Sequence, residues 1–117
     1  MNVFLLVYAS GVSFDEVRYF LNARDEIDDW MEAFEGLVCL RSDASTQGIT
    51  GLFQIYLEKN AKDGKKRSFA LVRITDFTYS SLGGFMPRGA WEKILEWGGM
   101  EVHWDAPPGK KVVALDR

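Results

Sequence analysis

Asn2-Val3-Phe4-Leu5-Leu6-Val7-Tyr8-Ala9 is apolar at nearly every position and stops at Ser10-Gly11. It falls far short of the ~20 residues that cross a bilayer, and no basic segment precedes it as in a signal peptide. A strand with one face in water alternates apolar and polar residues, and this one does not, so it reads as a strand buried on both faces. Val3, Leu5 and Val7 share one side; Phe4, Leu6 and Tyr8 share the other. Ser68 to Thr75 has the same character, with Phe69 and Leu71 set against Ala70, Val72 and Ile74. Two apolar faces require two covering layers, because a monomer rarely exposes more than a few hundred Å² of contiguous apolar surface.

The segments around these strands carry helix and turn signals. Ser13 and Glu16 form an S-x-x-E capping box, flanked by Val12 and Val17 at staple positions, so a helix starts at Phe14. Val17, Phe20 and Leu21 make its apolar stripe, and Ile27, Trp30, Met31 and Phe34, spaced by three and one, predict its continuation. At ~100° per residue the two stripes are offset by roughly 80°, which predicts a kink or break around Asn22 to Asp25. Gly36 suits the end of this helical region. Leu37 to Arg41 reads as the second strand, and Ser42-Asp43-Ala44-Ser45 supplies turn and capping residues. Ile49, Leu52, Phe53, Tyr56 and Leu57 then define a second helix, weakened at Gly48 and Gly51 by ~1 kcal/mol each relative to Ala. Asn60 to Arg67 is a solvated turn and Thr78 to Gly84 a loop. Pro87 opens a third helix with the face Ala90, Trp91, Ile94 and Leu95, ending at Gly98-Gly99. Glu101 to Trp104 and Lys111 to Leu115 predict a hairpin around Ala106-Pro107-Pro108-Gly109.

With 117 residues, 47% of them apolar and 26% charged, the chain has the length and composition of one globular domain, with a core over 2–97 and a hairpin or tail over 98–117. The expected class is α+β: a βαβαβ core, then a helix and the C-terminal hairpin or tail. The helices are expected on one sheet face, in a two-layer sandwich resembling a ferredoxin-like domain; a compact three-layer variant is the alternative. The second apolar face then needs either the tail or a second copy of the chain, and the reading favours a homodimer whose face includes Phe4, Leu6, Tyr8, Ala70 and Val72. The lone Cys39, inside Leu37-Val38-Cys39-Leu40, excludes an intrachain disulfide and fits a reducing cytoplasm. A net charge of −3 lacks the basic excess that non-specific phosphate binding uses.

No group of residues forms a catalytic, cofactor or metal site in this reading. Asp25, Glu26, Asp28, Asp29, Glu32 and Glu35 read as the solvated side of an amphipathic helix, although Asp25 and Asp29 would lie one turn apart. Glu101, His103 and Asp105 alternate on one strand side, yet one His without a second His or Cys is a poor transition-metal set. Lys59, Lys62, Lys65, Lys66 and Arg67 complement a helix dipole and keep a turn soluble, and Lys65, Lys66 and Arg67 are the candidate nucleic-acid contacts. Phe77, Tyr79 and Phe85 near Gly83-Gly84 read as core, and that glycine pair lacks dinucleotide-loop spacing. Ser10 has no base in reach to activate it.

Three stretches carry a family resemblance: Val3-Phe4-Leu5-Leu6-Val7-Tyr8, Leu37-Val38-Cys39-Leu40-Arg41-Ser42-Asp43, and Phe69-Ala70-Leu71-Val72-Arg73-Ile74. With Gly84-Phe85-Met86-Pro87 ahead of Trp91 and Ile94, the layout resembles the small ferredoxin-like superfamily that contains the smaller CRISPR adaptation subunit and virulence-associated protein D. The resemblance covers Val3 to Leu95 and implies a scaffold that dimerises through its sheets. Nuclease members are expected to hold a divalent metal with an aspartate directly after the first strand's Tyr, whereas Tyr8 is followed by Ala9-Ser10-Gly11, so the resemblance argues against hydrolysis. The expectation is a non-catalytic, cytoplasmic, homodimeric accessory factor with an unidentified protein partner and no membrane association. The alternative is a metal-dependent nuclease or nucleic-acid binder using Asp43 or Lys65-Lys66-Arg67.

Overall fold

Ser13 closes its capping box as the sequence predicts. Its hydroxyl accepts from the Glu16 backbone N–H at 3.2 Å, while its own N–H donates to Glu16 Oε1 at 3.2 Å, and helix α1 spans Phe14–Ala23. The computed structural model describes residues 1–9, 11–60, 67–75, 77, 84–99 and 112–115. Strand β1 is Asn2–Tyr8, β2 is Ile27–Phe34 and β3 is Leu37–Ser42; helix α2 is Thr46–Lys59, capped by Ser45. Strand β4 is Phe69–Ile74, β5 is Gly84–Pro87, α3 is Arg88–Trp97 and β6 is Val112–Leu115.

The largest departure from the sequence reading is β2. The helix expected to continue through Phe34 ends at Ala23, and Ile27–Phe34 pairs antiparallel with β3. The helix-like spacing has a local cause. Two register shifts interrupt the ladder, so Ile27 faces Ser42 and Trp30 faces Leu40: three positions on β2 match two on β3. Met31 opposite Cys39 and Phe34 opposite Leu37 repeat the pattern. A bulge inserts one residue and thereby lets residues three apart share a sheet face, imitating a helical stripe. Gly36 therefore ends no helix. It occupies the second position of a two-residue β2–β3 turn with φ +96°, and its carbonyl accepts from the Tyr8 N–H at 2.9 Å.

The expected βαβαβ core thus gains a strand and becomes β1-α1-β2-β3-α2-β4. Its sheet has the order β2-β3-β1-β4 with every neighbouring pair antiparallel, in an α+β architecture. Helices α1 and α2 bury one face, where Phe4, Leu6, Val38 and Leu40 meet Val17, Phe20, Leu21, Ile49, Phe53 and Leu57. The rings of Phe20 and Phe69 each lie 4.8 Å from that of Phe53. Fully buried Ser42 donates from its hydroxyl to the Glu26 carbonyl and accepts from the Ala44 N–H at 3.0 Å, holding the two connections at that end of the sheet.

Helix α3 lies on the opposite face. Its Ala90, Trp91 and Ile94 pack with Ala33 and Cys39, and Leu5, Met31, Leu37 and Ile74 border them. It begins at Arg88, one residue beyond the predicted Pro87, which closes β5. In place of the second arm of a terminal hairpin, Val112–Leu115 pairs parallel with β5; the hairpin's first arm, Glu101 to Trp104, falls outside the described residues, as does the Thr78 to Gly84 loop except for Gly84.

Candidate interaction surface

Helix α3 covers only part of its sheet face, and its seating explains which part. Near its start, Gly89 lies so close to β2 that a Cβ there would come within 3.0 Å of Met31 Cε; near its end, a Cβ on Gly98 would fall 2.3 Å from the Phe77 ring. Lys93 Nζ reaches Asp29 Oδ2 at 3.3 Å, and the Arg41 guanidinium lies 5.6 Å from the Trp97 ring centroid while bonding Asp28 Oδ2 from Nε at 2.8 Å. The helix is therefore fastened from Met31 on β2 to Phe77 beyond β4. Among the described residues, no helix covers the α3 side of the sheet at the end where β1 finishes and β4 begins.

The register defines what is left there. Phe34 lies opposite Leu37, Leu37 opposite Val7, and Val7 opposite Ala70, forming one row across all four strands. At ~4.8 Å between strands the row is about 14 Å long. Phe34 is 40% exposed, Val7 44% and Val72 51%, Ala70 is exposed and Leu37 half-buried. Val72, opposite Leu5, continues the apolar surface along β4. Nothing in this row can act as an acid, base or nucleophile; what it offers is area to be removed from water.

The predicted dimer residues do not share a surface. Phe4, Leu6 and Tyr8 are buried beneath α1 and α2, whereas Ala70 and Val72 stand on the α3 side with Val3, Leu5 and Val7. The composition of two strands reveals that each has two apolar faces, but only their pairing shows which face of one continues which face of the other. Phe34, Leu37 and Val7 complete the open row; the spacing of Phe34 imitates a helix, and Val7 lies on the side of β1 opposite the predicted dimer residues Phe4, Leu6 and Tyr8. One signal was available: the apolar stripe of α3 needs a sheet face of its own.

The candidate phosphate contacts fare differently. Arg67 pairs with Glu16, donates from Nη2 to the Asn60 carbonyl at 3.2 Å, and is largely buried, so it clasps α1, α2 and the start of β4 together. Burial raises the pKa of Glu16, but hydrogen bonds from Arg67 and Ser13 outweigh it and hold the carboxyl below its usual range. Lys65 and Lys66 lie outside the described residues, as do Ser10, Lys62, Tyr79, Gly83, Glu101, His103 and Asp105. The acidic run sits on β2 and its flanking turns instead of on a helix, with Asp28 and Asp29 engaged by Arg41 and Lys93. Asp43 is exposed, and among the described residues no group of three or more His, Cys, Asp and Glu could hold a metal ion. Burial pushes the Cys39 thiol up to about 12, which leaves it without nucleophilic character. A narrow apolar crevice between α1, α2 and the sheet, bordered by Phe20, Ile49, Phe53 and Phe69, has no room for a water molecule. No described helix is long and apolar enough to cross a membrane.

The chain matches no protein-family model, no curated protein and no solved structure.

Proposed function

We propose that this protein is a non-catalytic, cytoplasmic interaction factor that self-associates through its sheet and presents the open apolar row to a protein partner. The single observation behind this reading is the exposed set Val7, Ala70 and Val72 on a face that α3 leaves partly uncovered. Burying such side chains contributes roughly 25 cal/mol per Å² of apolar area, and no described group competes by offering chemistry instead. The element order β1-α1-β2-β3-α2-β4 and the sheet order β2-β3-β1-β4 support a ferredoxin-like scaffold. The sequence resemblance to the superfamily of the smaller CRISPR adaptation subunit and virulence-associated protein D supplies the remainder of the proposal, an accessory or regulatory role in a bacterial defence or toxin-related system.

Multi-angle light scattering at about 100 μM tests the association. Under the proposal the protein has twice its 13.3 kDa chain mass, and Val72→Asp, which puts a carboxylate into the apolar set, shifts it toward the single chain. A wild-type protein that stays at 13.3 kDa at this concentration defeats the reading.

A further inference from the structure

The two edges of the sheet are built to different standards. Strand β2, Ile27–Phe34, carries Asp28, Asp29 and Glu32, and two register shifts break its ladder. Charges and bulges are the devices by which natural sheets keep their margins from pairing with other chains. Strand β4 has no bulge and fewer charges. Phe69-Ala70-Leu71-Val72-Arg73-Ile74 holds one charge and no proline or glycine, and it pairs with β1 over six consecutive residues without a shift. Among the described residues its other margin has no strand beside it.

The direction of its backbone groups follows from one hydrogen bond. The Ala9 N–H donates to the Ser68 carbonyl at 2.9 Å, which makes Ala9 and Ser68 a hydrogen-bonded pair in the same register. Such pairs alternate in an antiparallel ladder, so Ala70, Val72 and Ile74 also turn their N–H and C=O groups toward β1. Phe69, Leu71 and Arg73 turn theirs to the open margin.

We infer that a second copy of this chain pairs antiparallel along β4, joining two four-stranded sheets into one of eight strands about a two-fold axis. This rests on the self-association reading above and specifies its geometry. The strand is self-complementary. Registers centred on Ala70, Leu71 or Val72 all set outward-facing residues opposite one another, keep the α1/α2 faces on one side, and avoid placing Arg73 against its own copy. The Leu71-centred register sets Ala70 of each copy against Val72 of the other, the Ala70-centred one sets the two Ala70 residues together, and the Val72-centred one the two Val72 residues, so every register joins apolar side chains across the seam. In the Ala70-centred register the two rows meet end to end, and eight strands at ~4.8 Å spacing extend the row from about 14 Å to about 34 Å. An isologous contact of this kind closes with two copies and leaves no open β4 margin to propagate.

Two variants test the geometry. Arg73→Pro removes an N–H that points away from β1, at an exposed edge position where proline is tolerated. It is expected to return the 13.3 kDa species while its circular dichroism, and its melting in dilute solution where both proteins are single chains, stay those of the wild type. The double variant Ala70→Cys/Val72→Cys places introduced thiols opposite one another in all three registers, and buried Cys39 does not compete. On mild oxidation it is expected to yield a disulfide-linked dimer as the main band of a non-reducing gel. A dimeric Arg73→Pro protein, together with a double variant that does not cross-link, overturns β4 pairing and leaves self-association standing through another surface. A monomeric wild type defeats both. Should Arg73→Pro unfold, the cross-linking result alone decides, in either direction.

Discussion

One face of the sheet is closed by two helices and an aromatic cluster, the other, among the described residues, by one ten-residue helix that stops short of the sheet's end. The strands do not explain the difference, since β1 is apolar on both sides. Cover does. The closed side receives α1 and α2, twenty-four helical residues in all, and buries Phe4, Leu6 and Tyr8; the other receives α3 and leaves Val7 at 44% exposure. Strand composition fixes how much shielding a sheet needs, whereas the number and seating of helices fix how much it gets. The shortfall is the surface proposed to bind.

If that contrast is right, truncations on the two faces should differ in cost. Phe53→Ala, under three neighbouring rings, is expected to lose about 3–5 kcal/mol in urea unfolding, the range for a buried aromatic. The clasp at the margin of the closed side should come next. Glu16→Gln is expected to cost about 1–3 kcal/mol at pH 7, as for a hydrogen bond to a charged group. Because the folded carboxyl is held below its usual range, its contribution is present above that range and disappears as pH falls through the depressed folded value. Wild type and Glu16→Gln should therefore converge in acid, and a stability gap that is constant from pH 7 to pH 2 would remove the ion pair from the account.

Smaller effects sharpen the picture. Gly36→Ala should cost about 1–2 kcal/mol, because the β2–β3 turn needs φ +96° there and a Cβ would sit 3.3 Å from the Tyr8 carbonyl oxygen. Gly51→Ala should do the opposite and raise stability by about 0.5–1 kcal/mol, since a Cβ inside α2 meets nothing within 4 Å. Val7→Thr, at the centre of the open row, should stay within about 0.5 kcal/mol in dilute solution, where only the single chain unfolds. A loss there as large as that of Phe53→Ala would show that the row is core after all.

What could be read from sequence was whatever depended on neighbours along the chain. The Ser13–Glu16 box, the Ser45 cap and the stripes of α2 and α3 are such features, and all four appear where the residues predict them. Strand β2 was illegible because two bulges gave Ile27, Trp30, Met31 and Phe34 a spacing that a helix would also produce. The open row was illegible for a different reason: it draws one or two residues from each of four strands, and its membership depends on registers that no single strand encodes. Arg67 looked like a phosphate ligand because its partner, Glu16, lies 51 positions earlier in the chain.

The central position of β1 bears on how the protein emerges during synthesis. This strand is made before either of its neighbours, and its last ladder partner, Ile74, follows Tyr8 by roughly 65 residues, a delay of about 3–13 s at ~5–20 residues per second. Strand β3 follows after only about half of that interval, so β1 can be paired along one side early while its other side stays without a partner until β4 is made.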